Sequence, residues 1–369
     1  MGIVGEEDNS QLLYLALTSR LLPIPVSVLL MSRNSAGKSH IRDIVASLMP
    51  EESIRQYTFI TSKALLYEAP YLNQKSLLID EEDGIRDCLP YIRSIVSDQR
   101  ISTLSTISEA RIGKRSAQSI SHRVGVSVIV STCHSNIIDQ DTRRLFLQIT
   151  LDESAEQTRR IIEEQLRSES MINKTLQNER EKIKRIHRNA QKLLRPLPIH
   201  FPEYLKIEYP SACINNRRDS VLFLSLVKSI ALLKQYQREL QNGVLIVEQE
   251  DIETAIHLSR HSFSVANDEL SPQARKVLSI ATQYVKQEFE TLRNNDPKLN
   301  MSDITFSRKI IRELFGCGES YLRPFFRELE RKEYIAKVEG KQGLQYSYVL
   351  LEQDEDFAEL RSHFALKAS

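Results

Sequence analysis

Several features are scarce in this sequence, and their scarcity excludes some classes of protein. The chain of 369 residues has four cysteines, which are scattered rather than paired in a C-x-x-C motif. This spacing indicates neither a zinc site nor a disulfide framework and is typical of the reducing cytoplasm. The most apolar run, Leu21 to Met31, is about half as long as a bilayer requires. We therefore expect a cytoplasmic protein without a membrane partner.

The chain also lacks an excess of charge of either sign. There are 50 lysines and arginines against 49 aspartates and glutamates, so the formal net charge is +1 at pH 7. A balance this close excludes a global field that would attract nucleic acid, and any DNA-binding surface has to come from local patches. The length favours two or three domains over one core.

The strongest local signal is a phosphate-binding loop. Residues 32–39 read S-R-N-S-A-G-K-S and lie between a predicted buried strand, 26–31, and a predicted helix, 38–48. This is the context of a Walker A loop, whose backbone N–H groups and helix N-terminus bind phosphates. Ser32 stands where such loops usually have glycine, which reduces the freedom of the turn. The residues predicted to bind ATP are Ser35, Ala36, Gly37, Lys38 and Ser39.

A matching acidic motif follows the second predicted strand. Residues 77–81 read L-L-I-D-E. Asp80 is expected to bind Mg²⁺ together with Ser39, and Glu81 to activate the attacking water, because carboxylates suit a hard cation and accept protons. Glu82 and Asp83 come next and are interpreted as solvated or facing a neighbouring subunit.

The third predicted strand, 126–131, is followed by a second hydroxyl residue, so that Ser131 and Thr132 stand side by side. In an ATPase core the strand beside the P-loop strand carries a polar side chain near the γ phosphate, so either hydroxyl is suited to orienting water. Ordinary strand-end hydroxyls are the alternative interpretation.

Two arginine pairs are candidates for contacts to the γ phosphate. Arg143 and Arg144 precede the fourth predicted strand, 145–151, and suit an arginine finger from a neighbouring subunit. Arg217 and Arg218 begin a predicted helix and suit a contact from a helical lid. Solvated basic turns are the alternative for both pairs.

Residues 100–124 predict a long hairpin inserted before the third strand. In a ring, its tip is expected to face the pore and contact DNA phosphates, whereas an exposed hairpin with solvated charges is the alternative. The tip cations are Arg111, Lys114 and Arg115.

Residues 301–351 have the pattern of a winged helix, with two helices and then two strands around a tip at 340–343. Ser320 is predicted to cap the second helix, and Pro324 to fall in its first turn. A winged helix that contacts protein is the alternative to one that contacts DNA. The residues predicted to face DNA are Tyr321, Arg323, Arg327 and Lys341.

The combined motifs resemble a known group of ATPases. The P-loop S-R-N-S-A-G-K-S-H, the acidic L-L-I-D-E-E-D-G, the stretch L-D-E-S-A-E-Q-T-R-R and the stretch L-V-K-S-I-A-L-L-K-Q-Y-Q-R-E are similar to the ATPase part of primase-associated replication proteins on bacterial mobile elements. The arrangement of core, hairpin, lid and winged helix also resembles MCM-like replicative helicases. The resemblance implies that Thr132 is the sensor, Arg144 the finger with Arg143 as its close rival, and Arg218 the lid arginine.

We therefore expect an α/β protein with an AAA+ P-loop core in residues 1–152, a helical lid with connecting helices in 153–293, a winged helix in 301–351 and a tail in 352–369. The leading hypothesis is an ATP- and Mg²⁺-dependent DNA helicase or translocase in replication of a mobile element, acting as a hexamer-type ring. An ATP-switched DNA-binding loader or regulator without unwinding activity, and an adaptor with weak ATPase, are the alternatives. No primase segment precedes the P-loop, so a primase is a candidate partner, and the chain is a separate subunit or a piece of a longer protein.

Overall fold

The chain divides into two compact units, of which the first spans residues 1–266 and the second begins at residue 267. Within the described part of the chain, no helix combines the length and apolar character needed to cross a membrane. The computed structural model describes residues 2–33, 36–108, 115–132, 138–170, 174–205, 216–266, 270, 272–293, 304–316, 319–332, 334–339 and 346–351.

Strands and helices alternate through the first unit. Its strands are β1 (Val28–Met31), β2 (Ile54–Tyr57), β3 (Lys75–Ile79), β4 (Arg100–Ser108), β5 (Arg115–Arg123), β6 (Val126–Thr132), β7 (Leu147–Thr150), β8 (Ile199–His200) and β9 (Leu245–Ile246). Its helices are α1 (Glu7–Thr18), α2 (Lys38–Ala46), α3 (Ser62–Glu68), α4 (Leu89–Asp98), α5 (Gln140–Arg143), α6 (Ala155–Ser170), α7 (Lys174–Leu193), α8 (Asn216–Leu233) and α9 (Gln249–Ala266).

A five-stranded parallel sheet in the order β2-β3-β6-β1-β7 forms the centre of this unit. Its strands other than the edge strand β2 are mostly apolar and buried, because helices cover both faces of the sheet. Val28 and Leu30 of β1 pack on the side of α1, α2, α8 and α9, whereas Leu29 packs with α3 and α4 on the other side. The structure therefore confirms an α/β fold with a parallel central sheet.

The strand order positions the candidate site. Because β6 lies between β1 and β3, the carboxyl ends of these three strands are neighbours at one edge of the sheet. Met31 pairs with Thr132, and Ile79 pairs with Val130. The segments that follow β1 and β3 therefore leave the sheet on either side of Thr132.

Strand β2 was not expected from the sequence. Its residues, I-R-Q-Y, include polar side chains of intermediate or full exposure, since β2 is an edge strand that pairs only with β3 among the described strands. The continuous apolar pattern of a buried parallel strand is therefore absent.

The predicted hairpin forms from β4 and β5. The two strands pair in antiparallel register, from Arg100 opposite Arg123 to Ser108 opposite Arg115. Arg115 therefore opens β5, whereas Arg111 and Lys114 lie outside the described residues.

A buried ion pair joins the start of α9 to the segment that connects α8 and α9. The Asp251 side chain is fully buried, and its two oxygens accept hydrogen bonds from Arg238 Nη1 at 2.6 Å and Nη2 at 2.8 Å. Asp251 Oδ2 also accepts from the backbone N–H of Glu248 at 3.0 Å, and Lys234 Nζ lies 3.3 Å from Oδ1. This carboxylate thus pairs with two cations and accepts one N–H group at the start of α9.

The second unit consists of α10 (Pro272–Arg293), β10 (Phe306–Ser307), α11 (Arg308–Phe315), α12 (Glu319–Arg331), β11 (Ile335–Glu339) and β12 (Ser347–Leu350). The strands form an antiparallel sheet in the order β10-β12-β11. Phe306, Phe326 and Tyr348 form an aromatic core with ring centroids 5.0 to 6.4 Å apart. Helix α10 packs on α11 and α12, so it belongs to this unit, although the sequence predicted it with the lid in 153–293.

The first turn of α12 differs from the prediction. The helix begins at Glu319, so Ser320 lies inside it and is not the N-cap residue. Pro324 likewise lies in the helix interior, beyond the first turn. Proline lacks an N–H group, so the helix omits one backbone hydrogen bond there.

We predict that Asp251→Asn destabilises the first unit by about 3 kcal/mol, because it leaves two cations without their buried counter-ion. Urea unfolding followed by circular dichroism measures the effect. Glu250→Gln is the matched control, since the Glu250 side chain is 71% exposed and pairs with the same Lys234. Its cost should stay below about 1 kcal/mol, and equal losses in the two variants would contradict this account.

Candidate functional site

A pocket of about 390 Å³ lies at the carboxyl edge of the central sheet. Three segments line it: residues 37–40 at the start of α2, residues 80–83 after β3, and Ser131 with Thr132 at the end of β6. The structure therefore brings together the three segments that the motifs predicted to share a site.

Backbone conformation at Gly37 defines where α2 begins. Gly37 has φ +95°, in the left-handed region, and a Cβ added there would meet no atom of the described residues within 4 Å. The requirement for glycine is therefore conformational rather than steric. Helix α2 starts at the next residue, and its first-turn N–H groups have no intrahelical partners and suit an anion. Ser35 lies outside the described residues, whereas Ala36 forms a turn by donating its N–H to the carbonyl oxygen of Arg33 at 3.4 Å.

The ammonium group of Lys38 lies against the carbonyls at the start of the loop. Its Nζ donates to the carbonyl oxygens of Ser32 at 2.7 Å and Arg33 at 2.8 Å. Ser32 is buried and donates its N–H to the carbonyl oxygen of Thr132 at 3.2 Å, which joins the loop to β6. Ser32 is absent from the described residues with positive φ, so serine is tolerated in place of the usual glycine.

Glu153, which follows β7, holds the same part of the loop. Its Oε1 accepts the backbone N–H of Arg33 at 2.7 Å, and its Oε2 lies 3.1 Å from Arg33 Nε. The Glu153 side chain is only 14% exposed. Charge-assisted hydrogen bonds are stronger than neutral ones, so this carboxylate fixes the entry to the loop. Sequence reasoning did not assign this role.

Three side chains orient the carboxylate of Asp80. Oδ2 accepts the hydroxyl of Thr58 at 2.7 Å, while Oδ1 accepts Gln56 Nε2 at 3.0 Å and Arg42 Nη1 at 2.9 Å. Burial acts to raise the pKa of Asp80, but the hydrogen bonds from Thr58 and Gln56 and the charge of Arg42 outweigh it and leave the pKa below its ordinary value. Asp80 is therefore an ionised, preoriented carboxylate at neutral pH.

Close backbone packing at Gly84 supports this arrangement. A Cβ at Gly84 would lie 2.1 Å from the carbonyl oxygen of Thr58. The Gly84 carbonyl oxygen also accepts the N–H of Ile60 at 2.9 Å. Only glycine allows the acidic segment to lie this close to the chain that carries the Thr58 hydroxyl, which explains the glycine at the end of L-L-I-D-E-E-D-G.

Two oxygen atoms at the pocket are buried without a hydrogen-bond partner among the described residues. Thr132 is 2% exposed, and among the described residues its hydroxyl has no hydrogen-bond partner. Glu82 Oε2 is likewise buried and unpaired within the described part of the chain. Such groups cost about 1–3 kcal/mol each and typically mark a ligand or water position. The structure therefore differs from the interpretation of Glu82 as a solvated residue, since its side chain is half-buried. The neighbouring Glu81 is exposed and also lines the pocket.

The donor set fits a magnesium ion bound together with phosphates. Among the described residues, no group of three His, Cys, Asp or Glu side chains could hold a metal alone. The pocket instead offers the Ser39 hydroxyl and the carboxylates of Asp80 and Glu82. Mg²⁺ prefers oxygen ligands and usually takes one or two carboxylates along with substrate phosphates.

The candidate arginines lie elsewhere. Arg143 and Arg144 precede β7, whose amino end is at the opposite edge of the parallel sheet from the pocket. Arg143 Nε donates to the carbonyl oxygen of Ile138 at 3.0 Å, and Arg144 Nη1 is 3.9 Å from Asp141 Oδ1. Arg218 is exposed in the first turn of α8. None of the three lines the pocket.

The candidate DNA-contacting residues of the second unit differ in exposure. Arg323 and Arg327 are exposed and one turn apart on α12. Tyr321 is half-buried, with its ring 6.0 Å from that of Phe315 and 5.1 Å from that of Phe325, so packing accounts for much of its surface. Lys341 lies outside the described residues.

Comparison with known proteins adds little to this geometry. No family model matches the chain, and no curated protein matches it. A solved structure described as the A form apo structure of the NrS-1 C-terminal region aligns with 93% of this chain and 71% of its own, at 11% identity and a TM-score of 0.30. A similarity this low supports no inference about fold or function, so the proposals below rest on the residues themselves.

We predict that Thr58→Val lowers the free energy of unfolding by about 1 kcal/mol at pH 7, because Asp80 loses one hydrogen bond. Since the pKa of Asp80 is depressed in the folded state, the stability it contributes is present above its unfolded pKa and is lost as pH falls through its folded pKa. The difference between wild type and variant should therefore shrink below about pH 4. Denaturant titrations from pH 7 to pH 3 measure it.

Thr158→Val is the control for this pH dependence. Its hydroxyl is exposed and donates to the backbone carbonyl of Ser154 at 2.9 Å. A Thr58→Val effect that did not vary with pH, as expected for Thr158→Val, would contradict the link to Asp80.

Proposed function

We propose that this chain is an ATPase of the AAA+ type that binds Mg²⁺-ATP in the pocket at the carboxyl edge of its parallel sheet. The observation that carries the proposal is the meeting of Lys38, Asp80 and Thr132 around one pocket. A cation at a helix N-terminus, a preoriented carboxylate and a buried hydroxyl without a partner among the described residues suit phosphoryl transfer to water.

Each group has a distinct role in hydrolysis. Lys38 and the N–H groups of the first turn of α2 bind the β and γ phosphates. Ser39 and Asp80 hold the metal, which when bound neutralises charge on the phosphate oxygens. Thr132 orients the attacking water, and Glu81 accepts its proton as the γ-phosphoryl group leaves ADP. Glu82, on the same side of the chain as Asp80 because Glu81 is extended, helps to hold the metal or its waters.

The finger role proposed for Arg143 or Arg144 requires assembly of several copies. Both lie at the sheet edge opposite their own pocket, so either one has to contact the nucleotide of a neighbouring copy to act as a finger. The proposal therefore includes a ring, in which Arg218 contributes a lid contact to the phosphates.

The second unit supports a DNA-binding role. In this proposal, helices α11 and α12 and the antiparallel strands β11 and β12 that follow them act as a winged helix, with α12 as the recognition helix. Leu322, Phe326 and Leu329 bury one face of α12, whereas Arg323 and Arg327 are exposed. With the β4–β5 hairpin as a second contact, ATP turnover drives movement along DNA. The motif resemblance extends this proposal to an MCM-like helicase in mobile-element replication that works with a primase.

Phosphate release with and without single-stranded DNA tests the enzyme. We expect DNA-stimulated turnover that falls about 100-fold in Glu81→Gln, with binding of a fluorescent ATP analogue retained. Glu82→Gln is the matched variant one residue away, and its turnover should fall less. A greater loss of turnover in Glu82→Gln than in Glu81→Gln would make Glu82 the proton acceptor and Glu81 the residue that helps to hold the metal. No wild-type turnover, together with ATP-dependent DNA binding, would favour the loader or regulator.

The salt dependence of DNA binding tests α12. Removing both cations in Arg323→Gln/Arg327→Gln should reduce the slope of log affinity against log salt concentration by about 2. Lys276→Gln/Lys286→Gln removes the same charge from exposed positions on α10 and serves as the control. Equal slopes for the two double variants, measured by fluorescence anisotropy, would show that α12 does not contact phosphates.

A further inference from the structure

Arg42 is a buried cation beside Asp80, and it has no assigned part in binding nucleotide or in the hydrolysis step. It lies in α2 one helical turn after Lys38, and its side chain is 3% exposed. Residues four apart share a helix face, so the phosphate-binding lysine and this arginine are fixed relative to each other. A buried arginine keeps its charge and needs partners, since its guanidinium does not lose a proton in proteins.

The partners of Arg42 come from the metal-binding side of the pocket. Nη1 lies 2.9 Å from Asp80 Oδ1 and 3.5 Å from the hydroxyl oxygen of Ser131. Nε and Nη2 each lie 2.8 Å from Asp43 Oδ1, but that carboxylate is 54% exposed and its charge is therefore screened by water. The internal counter-ion of Arg42 is thus Asp80, the residue assigned to the metal.

A fixed positive charge at this distance has two consequences for Asp80. It holds one carboxylate oxygen in place before any metal arrives, together with Gln56 and Thr58. It also repels a divalent cation that approaches the same carboxylate, because like charges a few ångströms apart in a partly buried site interact strongly. The protein alone should therefore bind the metal weakly, and the charge of a triphosphate is needed to overcome the repulsion.

We propose that Arg42 is a positioning residue that acts through Asp80 and makes divalent-metal binding dependent on nucleotide. This inference rests on the proposed ATP site but not on turnover. Without nucleotide, Arg42 neutralises Asp80, and the affinity of the site for a divalent metal stays low. With nucleotide, the phosphates supply the missing negative charge, and metal and nucleotide enter together.

A titration of the whole chain with Mn²⁺ in the absence of nucleotide tests this directly. Electron paramagnetic resonance measures the free ion. Arg42→Met removes the charge and keeps much of the buried volume, so its Mn²⁺ affinity without nucleotide should rise about tenfold or more over wild type. Arg42→Lys keeps the charge and should stay close to wild type. Asp80→Asn added to Arg42→Met should abolish the gain.

Arg55→Met is the matched control, because Arg55 is on the neighbouring edge strand, does not line the pocket and pairs with Glu68 at 3.3 Å. Its Mn²⁺ affinity should not change. If Arg42→Met does not fold, Arg42→Gln repeats the measurement with a neutral side chain that still donates to Asp80.

Unchanged or weaker Mn²⁺ binding in the folded neutral variants would overturn the proposal, as would equal gains in Arg42→Lys. A purely structural role for Arg42 predicts lower stability without tighter metal binding. Wild-type ATP turnover is measured separately, so failure of the ATPase proposal and failure of this inference give different results.

Discussion

The pairing of β6 between β1 and β3 is the constraint on which the rest of this structure depends. Parallel strands share one carboxyl edge, and this order makes Thr132 the neighbour of both the P-loop and the acidic segment. No single segment holds the site. Lys38 follows one strand, Asp80 a second and Thr132 a third, so the pocket exists only when the sheet is complete.

Electrostatic preorganisation is the second property of the site. Asp80 is oriented by Thr58, Gln56 and Arg42 before a ligand binds. Lys38, in contrast, contacts carbonyl oxygens that phosphate oxygens can replace as its partners. Asp80 therefore already has a cationic partner in Arg42, whereas Lys38 donates to neutral carbonyl oxygens. This asymmetry suits a site in which the nucleotide brings the metal.

In the second unit, surface charge and helix geometry, rather than a pocket, point to a function. Its aromatic core explains why the helices and the small antiparallel sheet form, and the exposed Arg323 and Arg327 lie on the face that this core leaves outside. These features support a DNA contact through charge and helix geometry. Arginine contacts to phosphates would position the protein on DNA, whereas arginine contacts to base edges would read its sequence.

The α/β class and the positions of the S-R-N-S-A-G-K-S segment and the acidic motif could be read from the sequence. These are local signals: an apolar run, a G-K-S at a helix start, and carboxylates at a strand end. It also predicted the hairpin, since alternating residues pair locally across β4 and β5. It did not reveal β2, because an edge strand with polar residues lacks the apolar run of a buried strand.

Only the tertiary structure decided which polar side chains act together. Gln56, Thr58 and Arg42 belong to no motif, and Glu153 lies in L-D-E-S-A-E-Q-T-R-R, to which the sequence assigned no such role. Their roles follow from contacts between residues as much as 120 positions apart in the chain. The same holds for Glu82 and Thr132, because only the folded structure shows that each has a buried oxygen without a partner among the described residues. Hydrogen bonding and desolvation depend on neighbours in space, and the folded chain alone specifies those neighbours.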